Sequence, residues 1–400
     1  MLSFIYTENY KNLKFTEKVI LKNLNILIGP NGSGKSNFIS YLNFFHQYFK
    51  RLGNSPDNAT NTSPLDYAVA TLNRILDVQK PTPEEVRMVL GYYTKGEKSE
   101  SIILDLDLYI YESRSPVTIT RQSLYQGFDL KEKRQASLFY YDSSEPQKII
   151  GLLKNSNIQQ MVLGNQENKT KALEYQYFFA FSYANHWRFY NANSMNLEMI
   201  RTSEPKIGPS DIYLSSSGDN LALVMDNLSQ DLDFEDAIDL AMKSIFPKTR
   251  RIRSARVGRL SLTIEWFLEG NNEPFYLDEM SDGTVRMLCW AVILHSPQLP
   301  PLLVIDEPEL GLHPAWLSVL AQWIKQAAEK TQIILTTHSP DLLDHFTDRL
   351  ENVYCFDSID ANHYSMRPLA LDILKPQLDE GWELGDLYRI GEPTLGGWPW

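Results

Sequence analysis

The 400-residue chain is 43% apolar and 22% charged, ordinary globular usage that excludes a disordered, collagen-like or disulfide-stapled protein. Its net charge of −12 (38 Lys and Arg against 50 Asp and Glu) argues against whole-surface attraction to nucleic acid. Apolar runs such as Leu302–Ile305 and Ala291–Leu294 are a few residues long, where a membrane helix needs about 20, so no membrane partner is expected. Met1–Tyr10 lacks the basic-then-apolar layout of a signal peptide. The two cysteines, Cys289 and Cys355, sit in apolar surroundings and read as buried thiols of a cytoplasmic protein.

In chain order, Leu2, Phe4 and Tyr6 alternate as in a strand, and Leu24–Ile28 is an apolar run ending at Gly29, which predicts a buried strand. A helix is predicted over Lys35 to about Lys50, then a polar loop over Gly53–Pro64. The glycosylation patterns at Asn58 and Asn61 in that loop are chance matches in a cytoplasmic protein. Leu104, Leu106, Leu108 and Ile110 alternate with Asp105, Asp107, Tyr109 and Tyr111, a half-exposed strand whose acids face solvent rather than a metal. A basic cluster follows: Lys248, Arg250, Arg251, Arg253, Arg256 and Arg259. Leu260, Leu262, Ile264, Trp266 and Leu268 then alternate as a further strand. Beyond Pro300-Pro301, strand Leu302–Asp306, helix Trp316–Lys330 and strand Ile333–Thr337 make a βαβ unit, hence a parallel pair. Asp357 and Asp360 read as a loop. No repeat or sustained heptad pattern occurs.

Gly29-Pro-Asn-Gly-Ser-Gly-Lys-Ser36 fits the phosphate-loop pattern between a predicted strand and a predicted helix. Glycines Gly29, Gly32 and Gly34 let the backbone curl, so that the amides of the loop, Asn31 and Ser33 included, point at phosphate oxygens. The following helix adds its positive end. Lys35 would reach the β- and γ-phosphates, and the Ser36 hydroxyl would ligate Mg²⁺.

Asp306 and Glu307 emerge at the C-terminal end of a buried strand, the edge at which parallel sheets bind ligands. Asp306 would hold Mg²⁺ through its water shell, and Glu307 would orient or deprotonate the attacking water. His338 lies thirty-two residues after Asp306, across one βαβ unit, at the adjacent strand end. Its imidazole would hydrogen-bond the γ-phosphate or that water. Met280-Ser-Asp-Gly-Thr284 precedes a helix through Val285 and Leu294. Ser281 or Asp282 is a good N-cap and Gly283 leaves the first amides open, a second anion site.

Together these segments resemble an ATP-binding-cassette-type ATPase of the soluble SMC/RecF-like branch. GPNGSGKS is similar to Walker A, LVIDEP to Walker B, MSDGT to the signature loop and TTHSP to the switch-histidine loop. Asp306–Pro314 (DEPELGLHP) and the tail Leu384–Tyr388 with Leu395–Gly397 resemble compact bacterial AAA-family ATPases found beside defence or repair genes. The resemblance implies an α/β, ABC-type P-loop ATPase. It would have an N-terminal mixed or antiparallel sheet lobe with Walker A (1–52), a compact insertion (53–200) and a C-lobe with the remaining motifs (201–400). It also implies that two protomers sandwich two ATP molecules, Walker A of one facing Ser281, Asp282 and Gly283 of the other. Gln126 is its candidate for the glutamine loop and Tyr10 for adenine stacking. ELGLHP departs from the transporter pattern after Walker B, so a transporter engine fits worst. The expected function is an ATPase that controls a separate effector protein in anti-phage defence. The alternative is a RecF-like repair ATPase holding DNA through the basic cluster.

Overall fold

A computed structural model describes residues 1–53, 84–93, 101–110, 118–126, 137–142, 183–360 and 362–395. The polar segment with Asn58 and Asn61 lies outside them. In chain order the elements are β1 (Leu2–Glu8), β2 (Val19–Ile20), β3 (Leu24–Ile28), α1 (Lys35–Gly53), β4 (Glu84–Tyr93), β5 (Ser101–Ile110), β6 (Thr118–Gln126) and β7 (Ser137–Asp142). Then follow β8 (Arg188–Asn191), α2 (Leu197–Thr202), α3 (Leu221–Leu228), α4 (Leu232–Ile245), β9 (Thr249–Val257), β10 (Ser261–Leu268) and α5 (Asp282–Leu294). The last are β11 (Leu302–Asp306), α6 (Leu317–Ala328), β12 (Gln332–Thr336), α7 (Pro340–Asp344), β13 (Val353–Ser358), β14 (Tyr364–Pro368), α8 (Leu371–Asp379) and α9 (Leu384–Arg389). They divide into two compact units.

The first unit comprises Met1–Lys22, Ile28–Trp187 and Tyr354–Leu369. Its antiparallel sheet has the order β2-β1-β4-β5-β6-β7, so strands distant in sequence continue the sheet begun by β1. Phe4 pairs with Gly91, whose Cβ would lie 2.2 Å from the Phe4 ring, so only glycine fits opposite that aromatic. The alternation expected of β1 is hidden, because Leu2, Ser3, Phe4 and Ile5 are all buried. Helix α1 buries Phe38, Tyr41, Leu42, Phe44 and Phe45, and the Tyr41 hydroxyl donates to the Val89 carbonyl. Asp357 is not in a loop: it lies in β13, paired across to β14, and the Arg367 guanidinium donates to it. Asp360 occupies the bend beyond, where the backbone N–H groups of Asn362 and His363 donate to it.

The second unit comprises Asn23–Leu27, Arg188–Val353 and Ala370–Trp400. Its core is a parallel sheet in the order β3-β12-β11-β8. Leu302–Ile305 and Ile333–Leu335 are at most 1% exposed, as continuous apolar strands covered on both faces should be. Helix α5 is buried from Met287 to Leu294, and Cys289 within it is pushed up to about 12 by burial. Cys355, in the first unit, behaves alike. In the β9–β10 hairpin, Leu262, Ile264, Trp266 and Leu268 face inward, but Leu260 lies in the turn and is exposed. Helices α3 and α4 pack on β9. Among the described residues no helix is long and apolar enough to cross a membrane.

The C-terminal helix α9 docks on α7 through Gly385, whose Cβ would sit 2.0 Å from the Pro340 carbonyl oxygen. Arg389 clasps the pair by donating to Asp341, Asp344 and Asp386. Gly385→Ala is therefore expected to lower stability by about 1–3 kcal/mol through overpacking. Thermal unfolding reads this directly, and an unchanged Tm would contradict the docking.

Candidate nucleotide-binding site

In the first unit, the loop after β3 holds its shape through three glycines at positive φ: Gly29 (147°), Gly32 (79°) and Gly34 (107°). Two of them are also tightly hemmed in. A Cβ on Gly34 would lie 2.7 Å from Leu13, and one on Gly29 3.0 Å from the Ser33 hydroxyl. Gly32 is open, so a cradle wall faces free space there. Lys35 is 6% exposed, and its ammonium donates to the carbonyls of Gly29 (2.7 Å) and Pro30 (2.9 Å). Asn31 and Ser36 remain exposed, while Ser33 is buried. Helix α1 starts at Lys35 with no acid in its first turn to offset its positive end.

A brace the sequence did not reveal supports this loop. The Asn12 amide donates to the Gly32 carbonyl (3.1 Å), and Asn37 donates to Asn12 (2.7 Å). The signal available was faint: a polar turn whose Asn9 and Lys11 adopt positive φ. Tyr10, expected to stack on adenine, is wholly buried, and its ring packs edge-on against Tyr41 with centroids 5.6 Å apart. Burial raises its phenol above the usual range. No ring face is open to a base, so that expectation is corrected. Gln126 is the last residue of β6.

In the second unit the parallel register sets Leu27, Thr336, Asp306 and Asn191 side by side at the C-terminal edge. Gly29 follows Leu27 by two residues, Glu307 follows Asp306, and His338 follows Thr336 by two. Asn191 and Thr336 each donate to one oxygen of the Asp306 carboxylate, fixing its plane. Neither was foreseen, because each reads as an ordinary polar residue closing a strand. Glu307 has φ 50°, a left-handed conformation that costs a non-glycine residue about 1–2 kcal/mol. Its N–H is held by the Thr336 carbonyl (3.1 Å). Strain of this kind persists only where surrounding contacts hold it. The Glu307 carboxylate reaches to 3.6 Å from His338 Nε2, and both side chains are partly open to solvent.

The signature segment forms a capped helix start. Ser281 is the N-cap, accepting the Thr284 N–H (3.3 Å), so the sequence's choice between Ser281 and Asp282 resolves to Ser281. Asp282 sits in the first turn, and Arg201 donates to it (2.7 Å) and to the Met280 carbonyl (2.8 Å). Arg201 is a further supporting residue that no sequence pattern marks. Gly283 has a packing reason as well: a Cβ there would lie 2.9 Å from Trp316 and 3.2 Å from the Gly311 carbonyl. ELGLHP thus lies under the start of α5.

The basic cluster is divided. Arg251 pairs with Glu235, Asp236 and Asp239, and Arg253, though exposed, donates to Glu265 (2.8 Å); Lys248, Arg250, Arg256 and Arg259 are also exposed.

The residues suit a magnesium-bound nucleotide. Ser36 in the first unit and Asp306 in the second each carry a hard oxygen of the kind Mg²⁺ takes, and glycine at 29 and 34 keeps the loop clear of side chains. The fold and these motifs together resemble those of ABC/SMC-like ATPases. An SMC head solved with the C-terminal winged-helix domain of ScpA matches 94% of this chain and 99% of its own, at TM-score 0.50 and 14% identity, a likeness of fold. The chain belongs to the family described as "AAA domain, putative AbiEii toxin, Type IV TA system", which matches residues 24–344. Local similarity joins it to "Phosphate import ATP-binding protein PstB" of Methylobacillus flagellatus, 29% identical over 118 residues, 26% of this chain and 45% of that protein. "ABC transporter A family member 12" of Arabidopsis thaliana is 41% identical over 70 residues, 18% of this chain and 7% of that protein. The chain thus spans less than half the length of either curated relative.

Proposed function

We propose that the protein binds ATP with Mg²⁺, closes as a dimer around it and hydrolyses it, and so regulates a separate effector protein in anti-phage defence. The observation that carries the ATPase reading is the single sheet edge where Asp306, Glu307 and His338 emerge, with Glu307 and His338 3.6 Å apart. Lys35 and the amides of Asn31 to Ser36 bind the phosphates, and Ser36 and Asp306 hold the cation. Magnesium, when bound, offsets charge on the phosphate oxygens. Glu307 accepts the proton of the attacking water, and His338 donates a hydrogen bond to the γ-phosphate. Ser281, Asp282 and Gly283 of one protomer complete the pocket of the other. Binding energy for ATP then favours the paired state, and hydrolysis releases it. The family's description, which names a toxin, supports the defence role, and two buried, unpaired thiols suit a cytoplasmic setting. Phosphate release with and without Mg²⁺, together with recovery of the native complex, tests the reading. A protein that neither hydrolyses ATP nor brings down a partner would defeat it.

The second reading, direct DNA binding, rests on the exposed basic residues Lys248, Arg250, Arg256 and Arg259. Arg251 and Arg253 are poor probes, since their charges are already spent on carboxylates. Charge reversal at Arg250, Arg256 and Arg259 is expected to weaken DNA binding and to flatten its salt dependence by about one unit of slope per lost phosphate contact. Retention measured across a salt series decides it: an unchanged slope removes DNA as a partner.

A further inference from the structure

The geometry points to Glu309 as the positioning residue that sets the switch histidine, fixing His338 against Glu307 by hydrogen-bonding the backbone and side chain around it. This inference rests on the reading that Glu307 and His338 act together. Glu309 Oε1 accepts two hydrogen bonds from the neighbouring strand end, one from the Thr337 hydroxyl (2.7 Å) and one from the His338 N–H (3.0 Å). The same Thr337 oxygen accepts the Ser339 N–H (3.0 Å), and the Ser339 hydroxyl in turn caps α7 by accepting the Leu342 N–H (3.2 Å). One carboxylate oxygen thus anchors Thr337 and His338 directly and Ser339 at one remove.

That anchoring has consequences for the imidazole. Thr337 is wholly buried and hydrogen-bonded to Glu309, which helps set the direction in which the chain leaves β12. Glu307 sits on the other arm of the same turn, two residues before Glu309, with its own N–H fixed to the Thr336 carbonyl. The carboxylate that would accept the water's proton and the imidazole beside it are therefore tied to each other through Glu309 and Thr336. A shift of about 1 Å at such a pair can cost up to roughly a hundredfold in rate. Glu309 itself is kept away from water: its second oxygen is buried without a hydrogen bond, and burial raises its carboxyl above the usual range. A buried carboxylate with one idle oxygen is a costly way to hold a loop, and a surface acid would not be placed so.

Three variants test this: Glu309→Ala, Glu309→Gln and His338→Ala. Glutamine keeps Oε1, and with it both contacts, while placing a buried amide where the idle oxygen was. Both Glu309 variants are expected to lower Tm, but only Glu309→Ala is expected to lower kcat, by roughly 10–100-fold, with KM for ATP unchanged. Combining Glu309→Ala with His338→Ala should cost no more than His338→Ala alone, because both act through one imidazole. The His338 ring resonances, identified by their loss in His338→Ala, read the placement without turnover. They should shift in Glu309→Ala and stay in place in Glu309→Gln. Additive losses, or ring resonances that stay in place in Glu309→Ala, would overturn the assignment. A wild-type protein without ATPase activity would instead overturn the function proposed above, while the resonances would still decide the role of Glu309.

Discussion

Glu307→Gln is expected to bind ATP as the wild type does, to lose roughly 10²–10⁴-fold in kcat and to accumulate as an ATP-bound dimer. Glutamine has the same length and keeps one oxygen, so it can occupy the same left-handed turn at the same backbone cost. The Thr336 carbonyl that holds the Glu307 N–H is untouched by the change. What disappears is the basic oxygen near His338 that would accept a proton from water. Binding by the phosphate loop does not depend on that oxygen. If hydrolysis separates the protomers, as proposed, a form that binds without hydrolysing should remain paired. Phosphate release and sedimentation in ATP check the two halves together, and full turnover by the variant would contradict the assigned role.

Lys35→Ala is expected to lose ATP binding, by about 2–5 kcal/mol or at least roughly thirtyfold in Kd. Lys35 is almost completely buried, and its ammonium is held by the carbonyls of Gly29 and Pro30. Those contacts pre-place the charge where the β- and γ-phosphates would lie, so little entropy is lost when it transfers to them. Alanine removes the charge and leaves two carbonyls without their donor, which also loosens the turn. Calorimetric titration with ATP measures the loss. Affinity within a fewfold of the wild type would mean that the phosphates lie elsewhere.

Much of this was legible because the decisive features are local. The phosphate loop must be rich in glycine to adopt positive φ, and Leu302–Ile305 must be apolar to lie within a covered parallel sheet. Both leave their mark in consecutive residues. Strand β11 falls where the apolar run predicts, and α6 and β12 lie within two residues of expectation. The supporting residues were not legible, because each works across sequence distance. Asn12 reaches Gly32, Asn191 reaches Asp306 and Arg201 reaches Asp282, and an isolated Asn or Arg carries no periodic signal. Tyr10 misled for the same reason: an aromatic near a phosphate loop looks available until the packing of Tyr41 against it is known. Arg251 and Arg253 looked like free charge because their acidic partners lie on α4 and β10.

On the proposed mechanism, each nucleotide pocket takes its phosphate loop from one molecule and its signature from another. The most direct test co-expresses Lys35→Ala with Ser281→Arg, each inactive by itself. In the mixed pair one pocket carries both defects and the other carries none. ATP hydrolysis should therefore reappear in the mixture, and a mixture as inactive as its separate components would contradict the shared pocket.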